Sequence, residues 1–217
     1  ASILRPSTRE SYRNGMAHHV KPYLGQKTLT QITPADLRKL YDTLKQRGRV
    51  HPRSDQSRGL STTTVHGIHT TLHHALNSAV NQRLLPYNPA DHEEPPKVAH
   101  KSLTILNAEQ LGTFLAAVEQ APIWKDFFYT ELTTGLRRGE LLGLKWTDVD
   151  LDRGVLKIQR AISRQNGKVV EAPLKTKNAY RTLPLSADAI SVLMQQRRKT
   201  GNSEWVFPSP TGGPMSP

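Results

Sequence analysis

The segment 89–102, PADHEEPPKVAHKS, most constrains the fold: three prolines and a crowd of charges interrupt any hydrophobic period. It divides the 217 residues into two parts, each long enough to bury its own core. Before it, apolar residues recur at helical spacing. Beyond Asp150 the period becomes strand-like. The expectation is a helical domain at 1–90, a linker at 91–104 and an α+β domain at 105–217.

In the first part, residues 7–20 have helix-compatible spacing, with Ser7 or Thr8 able to cap the start and Pro22 and Gly25 ending it. Thr33-Pro34-Ala35-Asp36 supplies an N-cap, a first-turn proline and an early acid for a helix whose Leu37, Leu40, Tyr41 and Leu44 form an apolar stripe. Residues 47–60 make a basic loop carrying Arg49, Arg53 and Arg58, which serves either as a phosphate contact or as a solvated connector. The next helix, 61–85, places Val65, Ile68, Leu72, Leu76, Ala79 and Val80 on one face. His66, His69 and His73 flank that stripe. The spacing of His69 and His73 is open to zinc, but the pattern has no nearby carboxylate and no glutamate between them. The favoured readings are that these histidines border the core or donate to DNA phosphates.

After the linker, Asn107-Ala108-Glu109-Gln110 resembles a capping box ahead of Leu111, Phe114, Leu115 and Val118. A helix dense in aromatics follows at 124–134, with Gly135 where a left-handed helix end is expected. Residues 154–158 suggest a strand, Asn166-Gly167 a hairpin turn, and Val169-Val170 the start of that strand's partner. A third strand is expected at 180–185. Ser186 then caps a helix running to about Arg198 with Ile190, Leu193 and Met194 inward, and Val206-Phe207 reads as a short extended segment.

The charge narrows the function. A net charge of +12 and a pI near 10.1 favour a polyanionic partner, because each cation that neutralises a phosphate releases a condensed counterion. Residues 1–100 hold 14 basic and 7 acidic side chains, and 101–217 hold 16 and 11, so both parts are basic. The absence of cysteine excludes disulfides, thiolate catalysis and cysteine-ligated zinc. No apolar run approaches membrane-spanning length and the start lacks a signal-peptide core, so the chain reads as cytoplasmic. Both ends read as cuts in a longer protein.

The run 133–144, TTGLRRGELLGL, sets Arg137 and Glu140 three residues apart among apolar residues. Arginine suits a phosphate site because its planar guanidinium stays protonated and grips two oxygens at once. The stretch TGLRRGELLGLKWTDVD at 134–150, with PLKTK at 173–177 and RTLPL at 181–185, resembles the tyrosine recombinases of the phage-integrase family. The resemblance covers almost the whole chain. It implies a mainly α, SAM-like helical core-binding bundle, then an α+β catalytic domain with a small three-stranded antiparallel sheet, truncated at its C-terminus.

The resemblance also implies roles. Arg137 matches the arginine that binds the scissile phosphate, where losing one good electrostatic donor costs roughly 2.7–4 kcal/mol. Glu140 matches a supporting acid, which either orients Arg137 or forms an ordinary helical ion pair. Lys175 matches the lysine that protonates the departing 5′ oxygen and is preferred over Lys177, which stands two residues away. Lys177 and Arg181 join the possible DNA contacts. Implied too are double-stranded DNA as partner, two domains that clamp it, a tetrameric parent, an isolated segment compatible with a monomer, and chemistry without metal or cofactor.

The chain departs from the family pattern in one respect. The family's His-x-x-Arg motif and nucleophilic tyrosine are missing: all nine histidines lie at or before His100, and Tyr180 is the only tyrosine after Arg137. Tyr180, just before a strand, is not read as the nucleophile. The segment is expected to bind DNA but not to cleave it alone, the parent being an integrase of a phage or other mobile element. The alternative is a DNA-binding regulator that kept the fold and lost the chemistry.

Overall fold

The computed structural model describes residues 4–52, 54, 57–99 and 102–217, without the side chains of Pro122 and Ile123. The chain divides into two compact units, Ala1–Leu103 and Thr104–Pro217.

The first unit is helical: α1 (Pro6–Gly15), a π-helical turn (Met16–Val20), α2 (Lys21–Leu24), α3 (Pro34–Arg47) and α4 (Thr62–Asn81). The N-terminal helical stretch thus passes through Pro22 and ends at Gly25, whose N–H donates to Lys21 O at 2.9 Å. At the start of α3, the Asp36 N–H donates to Thr33 Oγ1 (3.3 Å) and the Thr33 N–H donates to Asp36 Oδ2 (3.0 Å). Leu37, Leu40, Tyr41 and Leu44 of α3 pack with Val65, Ile68, Leu72 and Leu76 of α4 as the core of this unit. The proline-rich segment is not featureless. Pro89–His92 is a 3-10 turn, Ala90 is buried, and the buried Glu93 takes two hydrogen bonds from Arg38 of α3, at 2.7 and 3.2 Å.

The second unit begins with α5 (Ala108–Glu119), α6 (Pro122–Thr134) and α7 (Arg138–Leu142). Strands β1 (Val149–Asp150), β2 (Val155–Ile158) and β5 (Arg181–Pro184) form an antiparallel sheet in the order β1-β2-β5, with Leu156 opposite Leu183 and Ile158 opposite Arg181. β3 (Ala161–Gln165) and β4 (Lys168–Ala172) form a separate hairpin. The last helix, α8 (Ala187–Thr200), is capped by Ser186, whose Oγ accepts from the Ala189 N–H at 3.2 Å. It packs against α6, where Lys199 Nζ meets the buried Asp126 carboxylate at 2.6 Å.

The strand pairing differs from the sequence expectation in its partners. Val169-Val170 does not pair with residues 154–158. Asn166 and Gly167, at φ +48° and +76°, make a two-residue turn that puts Gln165 opposite Lys168 and gives β4 the adjacent β3 as its partner. β2 pairs instead with β5. Among the described residues no helix is long and apolar enough to cross a membrane.

Candidate functional site

Arg137 owes its position to two local features. Gly135 ends α6 in the left-handed conformation (φ +62°), donating its N–H to Glu131 O at 2.8 Å, and Arg137 then caps α7 from an extended backbone. Leu136, Leu141 and Leu142 are buried and hold this turn in the core. Gly139 and Gly143 let α7 lie directly on β3: a Cβ at Gly139 would stand 2.9 Å from the Ile162 carbonyl oxygen, and one at Gly143 3.1 Å from Ala161 Cα. At Gly139 only glycine permits so close an approach, and at Gly143 an added Cβ would need β3 to give by a few tenths of an ångström.

Under Arg137 lies Glu140, whose side chain is 5% exposed against 76% for Arg137. Its two oxygens receive N–H groups from two arginines. Arg137 Nη1 donates to Oε1 (3.0 Å) and the Arg137 backbone N–H to Oε2 (3.2 Å), while Arg181 donates from Nη1 to Oε1 (3.3 Å) and from Nη2 to Oε2 (2.8 Å). Burial pushes the Glu140 carboxyl upward, but the hydrogen bonds from Arg181 and Arg137 outweigh it and leave the group below its ordinary value. Glu140 is therefore a carboxylate with both oxygens occupied, unsuited to proton abstraction and suited to holding arginines.

Lys175 and Lys177 sit on the exposed loop between β4 and β5, anchored by buried Leu174. Residues Lys177–Ala179 form a 3-10 turn, and the Ala179 carbonyl accepts a third hydrogen bond from Arg181, Nη1 to O at 3.1 Å. The lysine loop is thus tied through Arg181 to the carboxylate that holds Arg137. Arg181, expected among the DNA contacts, turns its guanidinium to Glu140 and Ala179. No local spacing announces that role, because Arg181 and Glu140 are 41 positions apart. The glycines at 139 and 143, four apart around Glu140, were a legible sign of close packing.

A second node supports the same region. Arg160 grips the buried Asp148 through both Nη groups, donates to Gly143 O at 3.3 Å and meets Glu171 at 3.2 Å. Arg160 and Asp148 stand 12 positions apart, too far for helical or turn spacing to mark them as partners.

The candidates of the first unit are dispersed. Arg49 donates from Nε to Gly59 O (3.0 Å) and from its backbone to Arg58 O (2.9 Å), closing the neck of the basic loop; Arg58 is exposed. Arg53 lies outside the described residues. His69 is turned inward, 8% exposed, with Nδ1 2.9 Å from the Tyr41 hydroxyl. His66 donates to Pro96 O at 3.3 Å and His73 to Asp91 Oδ1 at 2.7 Å, so two of the three histidines pin the segment that follows α4. Among the described residues no group of three or more His, Asp or Glu side chains is placed to hold a metal ion.

Residues 104–217 match the phage integrase family, and residues 2–45 match the phage integrase N-terminal SAM-like domain. The chain is 26% identical over 212 residues to a tyrosine recombinase XerC-like protein of Caldanaerobacter subterraneus subsp. tengcongensis, covering 90% of this chain and 51% of that protein. It is 28% identical over 211 residues to the integrase of Mycobacterium phage L5, covering 94% and 52%. The chain spans about half the length of these curated relatives. Among solved structures, the Tn1549 transposon integrase in complex with a circular intermediate DNA has a TM-score of 0.82 at 19% identity, over 99% of this chain and 69% of that one. A lambda integrase dimer bound to a COC' core site gives 0.69 at 19% identity, over 98% and 54%. These two structures establish the shared fold. With the family match extending over more than half its length, the chain belongs to the phage integrase family, the tyrosine recombinases.

Proposed function

We propose that this chain grips a phosphate of double-stranded DNA with Arg137, with Lys175 as proton donor, as part of a site-specific recombinase of a mobile element. In the whole enzyme a tyrosine oxygen attacks phosphorus, the bond from phosphorus to the 5′ oxygen breaks, and Lys175 protonates that oxygen. The resulting 3′-phosphotyrosyl bond keeps the energy for rejoining, so no high-energy cofactor is required. The nucleophile is not among these 217 residues: Tyr180 is the only tyrosine after Arg137, and it directly follows the turn that carries Lys177.

One observation carries this reading: an arginine side chain 76% exposed, fixed from beneath by a glutamate side chain 5% exposed. A surface ion pair made only for stability leaves both partners in water and contributes little. Here the cost of burying Glu140 is offset by two arginines, one of which still faces solvent. The test is covalent adduct formation by the full-length protein on a nicked duplex. Arg137→Ala should abolish it, and undiminished adducts would sink the proposal. Wild-type protein that binds the duplex yet forms no adduct would favour the second reading, a DNA-binding regulator.

A further inference from the structure

We infer that Arg181 is a positioning residue, one that keeps the Arg137 guanidinium available to DNA by saturating Glu140. This rests on the reading of Arg137 as the phosphate-gripping residue. Arg181 meets Glu140 with two N–H groups, one on each oxygen, and spends a further contact on Ala179 O. Its side chain is 29% exposed against 76% for Arg137, so it faces the carboxylate rather than solvent.

The consequence follows from counting donors and charges. A carboxylate offers about four lone-pair sites, and Glu140 receives four N–H groups, two of them from Arg181. Arg137 therefore contributes a single side-chain N–H to Glu140 and retains the rest of its five donors. Two arginines and one glutamate leave the cluster at one net positive charge. Without Arg181 the same carboxylate has two vacant positions three residues from Arg137, in reach of its fork. It then draws Arg137 down in a bidentate pair and cancels the charge that faces the phosphate.

That mechanism makes a prediction that a packing role does not. Arg181→Ala should reduce the steepness with which DNA affinity falls with salt, by about one phosphate contact. Adding Glu140→Gln should restore it, since the neutral amide no longer competes for Arg137. The measurement is the salt dependence of binding of the 217-residue chain to a random-sequence duplex, for wild type, R181A, R181A/E140Q and R137A, each checked by thermal unfolding to be folded at the assay temperature. Should R181A prove unfolded, R181M, which keeps the length of the side chain but donates nothing to Glu140, takes its place with the same expectation. Recovery of the slope in the double variant supports the inference. A slope that stays low in the double variant overturns it, because Arg181 then touches phosphate itself. An unchanged slope in R181A overturns it as well. An unchanged slope in R137A strikes the reading of Arg137 instead, whatever Arg181 does.

Discussion

The Glu140 carboxylate lies beneath Arg137, with Arg137 Nη1 3.0 Å from Oε1 and the backbone N–H of the same residue 3.2 Å from Oε2. One acid thus fixes both the main chain and the side chain of the exposed arginine. Removing it should affect stability and function together. Glu140→Ala is expected to cost about 3 kcal/mol, the low end for breaking a buried ion pair, since Arg137 can be solvated once released. Urea unfolding measures it, and a loss below about 1 kcal/mol would show the pair to be ornamental.

The same carboxyl is held below its ordinary value in the fold, so the unfolded chain binds its proton first as pH falls. Its contribution is complete above the ordinary carboxylate pKa and disappears as pH drops through the lower folded value. Asp36 behaves alike: hydrogen bonds from Lys27 and from Thr33 hold it at about 2. Acid unfolding of Glu140→Gln should accordingly be flatter than that of wild type below about pH 4.3. Parallel curves would exclude a role for Glu140 in acid stability.

His69 should make the first unit sensitive to milder acid. Burial, then the neighbouring His73 and His66, push its imidazole below the ordinary histidine value; burial and His18 do the same to His19, against the Gly48 carbonyl. In the window from the ordinary value of about 6.5 down to the folded values, the unfolded state holds more protons. Stability is therefore full above that window and falls within it. The melting temperature should drop between pH 7.5 and pH 5.5, and His69→Gln should lessen the drop. An equal drop in the variant would remove His69 from the account.

Glycines in similar helices should respond in opposite ways. Gly139→Ala places a methyl 2.9 Å from the Ile162 carbonyl oxygen and forces α7 off β3, at a cost of about 1–3 kcal/mol with weakened DNA binding. Gly67, within α4, has nothing within 4 Å of a built Cβ, so Gly67→Ala should stabilise by about 0.5–1 kcal/mol. Thermal melts of the two variants decide the matter. Equal shifts would mean that the close contact with β3 is not what demands glycine.

The proposed role of proton donor separates Lys175 from Lys177. In the full-length protein, Lys175→Ala should slow adduct formation by about 10²–10⁴-fold on ordinary DNA, the usual range for a general acid. It should slow it far less when the departing 5′ oxygen is replaced by sulfur, which leaves without protonation. Lys177→Ala should be near wild type on both substrates. If the sulfur substrate is slowed as severely as the natural one, Lys175 is not the acid.

Local signals in this chain were strong wherever a single stretch settles its own geometry. Thr33 and Asp36 announce a capped helix, the leucines of α3 and α4 announce their buried faces, and Asn166-Gly167 announces a turn, because each depends on residues within four positions of one another. The strand partner of β2 was not legible in that way. β2 and β5 are joined only after the β3–β4 hairpin intervenes, and hydrophobic alternation specifies a strand's faces without naming its neighbour.

The candidate site divides along the same line. From sequence alone, Arg137 and Glu140 were identifiable as a pair, the basic surface implied a polyanionic partner, and the order of segments implied a helical unit followed by an α+β unit. Tertiary structure alone decided that Glu140 is buried, that His69 faces Tyr41, and that Arg181 closes on Glu140 while tying down the lysine loop. The His69–Tyr41 and Arg181–Glu140 contacts span 28 and 41 positions. Sequence period reports which face of an element is apolar, but the partner of a buried charge is chosen by the packing that takes that charge out of water.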